Sequence, residues 1–294
     1  MAKFIETPVA LNTGIPSISV PIFTVQGLRQ GTSISLSYHA GGNRVQDVAS
    51  NVGLGWALNA GGCISRTVQG IPDELDYING NNINDFENLS PTSAYAYVNG
   101  VQNNTVDYQP DIFSFNFDGY SGKFFFNQQG EVILKENANL KIEYNTINGS
   151  PYIGEIIITT GTGTKYFFGT GGMRDVAIDQ RSIPGEVYSA PSAIVGYPLN
   201  WHLTEIRDVN NIDPITFAYE SYLLKNTTFS EVHNKYYHNS NQVVSQYDQC
   251  DIPTTSGGEV IWNYSEINTH RITEISGAKF KAIFNYGANR IDFP

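Results

Sequence analysis

Ile112-Phe113-Ser114-Phe115-Asn116-Phe117-Asp118-Gly119-Tyr120-Ser121-Gly122-Lys123-Phe124 is the stretch on which the fold turns. Phe113, Phe115 and Phe117 alternate with Ser114 and Asn116, so an extended chain here has one aromatic face and one polar face. Asp118-Gly119 then places two residues that tolerate positive φ where a tight hairpin needs them. The pattern reads as strand, turn, strand, with the strands near 111–117 and 122–127.

The same period of two recurs in both directions. Ser33 to Tyr38 alternates strictly; Leu140, Ile142 and Tyr144 alternate with Lys141 and Glu143; Phe280, Ala282, Phe284 and Tyr286 share one face. Further strands are expected near 17–26, 32–39, 62–68, 131–135, 140–144, 153–160, 164–168, 201–207, 214–220, 258–264, 270–276 and 279–286. No amphipathic helix of three turns or more is expected. Segment 76–105, rich in Asn, and segment 171–199, with Pro184, Pro191 and Pro198, read as long surface loops. The expected fold is all-β: antiparallel hairpin meanders forming a curved sheet. Residues 1–90 and 91–294 are the expected regions.

Composition agrees. Of 294 residues, 40% are hydrophobic and 13% aromatic, which argues against disorder. Only 15% are charged, against about 25% in ordinary soluble domains. The net charge is −11 and the 17 Lys and Arg are scattered, so nucleic acid is disfavoured as a partner. No run approaches the roughly 18 apolar residues of a spanning helix. Met1 to Pro8 contain no apolar core of a signal peptide. Cys63 and Cys250 are too few for a disulfide framework or a structural zinc site and read as free, buried residues.

A short internal repeat is visible. Leu203-Thr204-Glu205-Ile206 is followed by Thr216-Phe217-Ala218-Tyr219, and Ile272-Thr273-Glu274-Ile275 by Ala282-Ile283-Phe284-Asn285-Tyr286. Each is a strand–turn–strand unit with an apolar pair opening and an aromatic pair closing. Such a unit needs neighbours to bury its face.

The most specific segment runs from Val52-Gly53-Leu54-Gly55-Trp56-Ala57-Leu58-Asn59-Ala60-Gly61-Gly62 through Cys63-Ile64-Ser65-Arg66-Thr67-Val68-Gln69-Gly70-Ile71-Pro72-Asp73. Gly53 and Gly55 permit backbone angles or close approach that a Cβ would block. Trp56 and Leu58 are expected to anchor the loop, and Gly61-Gly62 to turn the chain into a strand. Arg66 is expected to pair with Asp73, Glu74 or Asp76.

This segment resembles the "GLGWSLNAGGxISRxVxGxPD" stretch of bacterial Rhs/YD-repeat proteins, and is similar to the N-terminal region of toxin-complex B components and plasmid virulence proteins. Tyr38-His39-Ala40-Gly41-Gly42, the hairpin around Asp118-Gly119, Gly163 to Gly169, and Trp201 to Asp208 with Phe217-Ala218-Tyr219 extend the resemblance over most of residues 8–294. Cys63 stands where valine or serine is usual, and Asp213-Pro214 replaces a Gly-Asn turn. The resemblance implies a structural role: part of a β-sheet shell that encloses and helps deliver a C-terminal toxic polypeptide. It implies the rest of that shell, the enclosed effector and delivery machinery as partners, and a secreted or cell-surface location. On this expectation the chain is an N-terminal portion of something larger. The family's self-cleavage motif and variable toxin are absent from these residues and are not carried over.

No catalytic, cofactor-binding or metal-ligating residue is assigned from sequence, and no enzymatic activity is expected. Gly119 to Lys123 and Gly161 to Lys165 lack phosphate-loop spacing and read as hairpin turns. His39, His202, His233, His238 and His270 show no ligand spacing. Asp73, Glu74, Asp76, Asn79, Asn81, Asn82, Asn84 and Asp85 form an oxygen-rich stretch, read as a solvated loop rather than a Ca²⁺ site. Tyr95, Tyr97, Tyr108, Tyr236, Tyr237 and Tyr247 lie in polar stretches, and a β-rich module that binds glycan or protein through them is the alternative function.

Overall fold

The computed structural model describes residues 14–27, 30–42, 49–78, 89–102, 105–136, 139–184, 196–210, 212–236 and 255–287. In chain order the strands are β1 (Ser17–Gln26), β2 (Gly31–His39), β3 (Trp56–Ala60), β4 (Gly62–Thr67), β5 (Ile112–Phe117), β6 (Tyr120–Phe126), β7 (Val132–Leu134) and β8 (Leu140–Thr146). They continue with β9 (Ile153–Thr160), β10 (Lys165–Phe168), β11 (Arg174–Pro184), β12 (Tyr197–Arg207), β13 (Ile215–Tyr236), β14 (Thr255–Ser276) and β15 (Lys281–Ile283). Among the described residues one α-helix, α1 (Pro91–Gln102), interrupts them, with short 3₁₀ turns at Asp73–Leu75 and Thr170–Gly172. All described strand pairs are antiparallel. The protein is all-β in class, as the alternation requires.

The chain forms two compact units, Met1–Asp175 with Pro198–Ser221 and His270–Pro294, and Val176–Tyr197 with Tyr222–Thr269. In the first, β1, β2 and β3 make a three-stranded sheet. A larger sheet grows by successive hairpins: β4 pairs with β5, β5 with β6 and β6 with β7, while β8 pairs with β9, β9 with β10 and β10 with β12. Trp201 of β12 opposes Ile64 of β4, joining the two runs. In the second unit, Val176–Pro184 of β11 pairs with Ile261–Asn268 of β14.

Alternation places the core. Phe113, Phe115 and Phe117 of β5, Phe124 and Phe126 of β6, Ile156 and Ile158 of β9, and Phe168, Trp201 and Leu203 are all buried. The faces meet through rings: Phe117 lies 5.2 Å from Phe168 and Phe126 lies 4.9 Å from Tyr144. Offset and edge contacts of this kind contribute beyond the area they bury. At the β5–β6 turn, Asp118 has φ 44° and Gly119 φ 82°, the positive pair that a two-residue hairpin demands.

The repeat is real in three dimensions. Glu205 of β12 opposes Thr216 of β13, and Glu274 of β14 opposes Ile283 of β15. The Tyr219 hydroxyl donates to the Leu203 carbonyl at 2.6 Å, and the Tyr286 hydroxyl donates to the Ile272 carbonyl at 2.6 Å. Each unit thus ties its closing aromatic to its opening apolar residue.

Four expectations are corrected. Segment 76–105 is not all loop: α1 fills Pro91–Gln102, and it is three turns long. None of its residues is fully buried; Ala94, Tyr97 and Val101, three and four residues apart, make one half-buried face that is short and weakly apolar. Its start is instead marked by Ser90, whose hydroxyl oxygen accepts from the Ser93 amide at 3.2 Å, and by Pro91 in the first turn. Segment 171–199 holds β11 and the beginning of β12, with 185–195 outside the described residues. The strands expected at 258–264 and 270–276 are one strand, β14, because Ser265 to Thr269 contain no Gly or Pro to break it. Trp56–Ala60 is itself a strand, paired through Leu58 with Leu36.

Candidate functional site

β12 sets the site. Trp201 and Leu203 point into the core, so His202 between them faces the other way. Directly opposite His202 in β4 is Cys63, and opposed residues share a face. The His202 amide donates to the Met173 carbonyl at 3.1 Å and its carbonyl accepts from the Gly169 amide at 2.9 Å, so the backbone is held.

Asp175 and His270 complete the cluster. His202 Nε2 lies 2.8 Å from Asp175 Oδ1, and His270 Nδ1 lies 3.3 Å from the same oxygen. The His270 amide donates to Asp175 Oδ1 at 2.9 Å, and the Asn200 side-chain amide donates to Asp175 Oδ2 at 3.0 Å. The three ligand atoms lie within 4.8 Å of one another. The Tyr219 ring stands 5.2 Å from that of His202.

These imidazoles line a cavity of about 420 Å³ whose wall also includes Cys63, Tyr219, Asn116, Asp118 and the Gly61-Gly62 turn. A Cβ on Gly62 would meet Phe117 at 2.3 Å, so only glycine brings the turn this close. Burial, with the charge of Asp175 beside it, pushes the Cys63 thiol up to about 12.

A second polar cluster lies under the Gly53–Asp73 segment. Arg66 is buried; its Nε donates to Asp111 Oδ2 at 2.7 Å and its Nη1 to Glu74 Oε1 at 3.1 Å. Its guanidinium carbon sits 5.3 Å from the centre of the Phe113 ring. The expected partner Glu74 is confirmed, whereas Asp111 was not foreseen. Asp73, Glu74 and Asp76 are not a solvated loop: Asp73 is fully buried, Glu74 holds Arg66, and Asp76 Oδ2 accepts from the Asp107 amide at 2.8 Å. Burial and the neighbouring Asp111 charge push the Asp73 carboxyl up to about 8. Burial pushes that of Asp107 up to about 6.

Among the described histidine side chains, then, two converge, His202 and His270. His39 ends β2 exposed, while the His233 side chain and all of His238 lie outside the described residues. Tyr95 and Tyr108 are exposed and Tyr97 is half-buried. Cys250, Tyr237, Tyr247, the Tyr236 side chain and Asn79 to Asp85 also lie outside. The Asp175–His202–His270 cluster was invisible in sequence because its members stand 27 and 68 residues apart on three strands.

The molecule is an all-β protein with a histidine- and carboxylate-lined cavity behind a glycine turn. No model of a known protein family matches the chain, and no curated protein matches it in sequence. No helix among the described residues is long and apolar enough to cross a membrane.

Proposed function

We propose that this chain is a section of the wall of an Rhs/YD-repeat shell, which encloses and helps deliver a C-terminal toxin or effector at or beyond the cell surface. The observation that carries this reading is the pair of matched units, Leu203–Tyr219 and Ile272–Tyr286, each closed by a tyrosine bonded back to its first strand. A wall made this way lengthens one hairpin at a time, and its function is sequestration.

Two further observations support it. Among the described residues, β1, β3, β7, β8 and β15 each have a single sheet neighbour, so several rims are open to another strand. Ile22, Phe23, Ile283 and Phe284 line an apolar groove of about 570 Å³, in which Ile22 is 56% and Ile283 57% exposed. Apolar surface of this kind is what a further piece of wall covers.

Electron cryomicroscopy of the protein isolated from its native host tests the reading. The expected result is a hollow β-walled body with this segment in the wall and a protease-resistant polypeptide inside. A solid particle in which this segment is sealed on every rim refutes it.

Exposed Tyr95 on α1 and Tyr108 beyond it support the alternative, a module that binds glycan or protein. Loss of glycan-array binding on Tyr95→Ala and Tyr108→Ala supports that alternative, and absence of any bound glycan counts against it.

A further inference from the structure

Independently of the shell reading, we infer that Asp175, His202 and His270 bind one divalent cation of the zinc class, with the fourth coordination position open to the adjoining cavity. Two imidazole nitrogens and one carboxylate oxygen make a donor set of the kind zinc takes. Around a tetrahedral ion with bonds of about 2.0–2.1 Å, neighbouring ligand atoms stand roughly 3.3 Å apart. His270 Nδ1 and Asp175 Oδ1 are already at 3.3 Å, and His202 Nε2 and Asp175 Oδ1 at 2.8 Å open by about half an ångström to reach it. The ion then takes the place of the protons that link these atoms.

The surroundings are built to hold the ligands still. Asp175 receives the Asn200 amide on Oδ2 and the His270 backbone amide on Oδ1. Such outer partners orient metal ligands and tune their affinity. Side-chain exposure is 16% for His202 and 7% for both Asp175 and His270, so few waters compete for the site. His202 and Asp175 are carried on strands, and the His202 backbone is bonded on both its N–H and its C=O.

The fourth position follows from what lies beside the cluster. Two of the three ligands, His202 and His270, line the cavity, and three protein ligands with one side left open are the arrangement of an open site, whereas a structural zinc is closed by four. Cys63 shares the face of His202, but its sulfur is not among the ligand atoms that meet within 4.8 Å. The open position therefore takes water, or an oxygen of a small molecule admitted through the cavity.

The test uses the whole 294-residue chain, stripped with chelator and titrated with Co²⁺ and then Zn²⁺. The expected result is one equivalent of Co²⁺ retained through gel filtration, with visible d–d bands that Zn²⁺ abolishes and no thiolate-to-cobalt charge transfer. His202→Gln and His270→Gln are each expected to weaken binding by at least the ~10–100-fold that loss of an outer-shell partner costs, and Asn200→Ala by about tenfold. His39→Gln, remote from the cluster, is expected to change nothing. If either histidine variant fails to fold, X-ray absorption on the zinc-loaded wild type decides: scattering from two imidazoles supports the site, and its absence overturns it. No retained metal, unchanged affinity in folded histidine variants, or a strong thiolate band also overturns the proposal.

Discussion

Asp73 and Asp111 bind each other's backbone: the Asp111 amide donates to Asp73 Oδ1 at 2.9 Å, and the Asp73 amide donates to Asp111 Oδ2 at 3.2 Å. This reciprocal clasp joins the end of the glycine-rich segment to the start of β5. It leaves Asp73 Oδ2 buried without a hydrogen-bond partner, which favours a protonated acid there.

The first prediction concerns pH. The Asp73 carboxyl titrates at about 8 in the folded protein and near 3.9 when unfolded. Between those values the folded state holds a proton that the unfolded state has released. This stabilising contribution is complete below about pH 4 and is lost as pH rises through 8. Asp73→Asn keeps a neutral group, so the melting temperature of the variant is expected to fall less than that of wild type between pH 6 and 8.5. Parallel melting curves for the two proteins would contradict the assignment.

Arg66 is the next target. It lies buried between Glu74 and Asp111, and removing it strands two buried carboxylates. Arg66→Ala is expected to cost roughly 3–5 kcal/mol in urea unfolding. Arg66→Lys retains the charge but cannot reach both acids with a planar fork, so a partial loss is expected.

The two closing tyrosines make parallel bonds, so they should respond in parallel. Tyr219→Phe and Tyr286→Phe each remove the hydroxyl that donates to the first strand's carbonyl. A loss of roughly 1–2 kcal/mol is expected for each, read by thermal unfolding. A neutral outcome at both positions would remove the repeat's structural rationale.

Cys63 should be unreactive while the protein is folded. With its thiol pushed up to about 12, the thiolate that performs alkylation is scarce near pH 8. Peptide mapping after iodoacetamide is expected to find Cys63 labelled quickly in urea and slowly without it.

Strands whose burial follows local alternation were legible. Ile153–Thr160 alternates in burial and matches its expected limits, as Ser17–Gln26 does although only Val25 of it is buried, and the Asp118-Gly119 turn has the backbone angles its residues favour. α1 was hidden because it buries no residue fully and its half-buried face, Ala94, Tyr97 and Val101, is too small to read against the Asn-rich stretch before it. β3 was hidden because Trp56–Ala60 is bracketed by glycines that resemble a loop, and only its pairing with β2 makes it a strand. Arg66 was recognisable as needing an acid, and Glu74, eight residues on, was within reach of that reasoning. Asp111, 45 residues away, was not.

Period-two hydrophobicity and turn chemistry are local properties, so the chain's own order of residues determined its all-β class, its hairpins and its repeated strand–turn–strand unit. Which distant side chains meet was decided by strand pairing. Asp175, His202 and His270 converge only because β11, β12 and β14 bring three separate segments together. No spacing along the chain encodes that meeting, since register between strands far apart in sequence is set by the packing of the whole core.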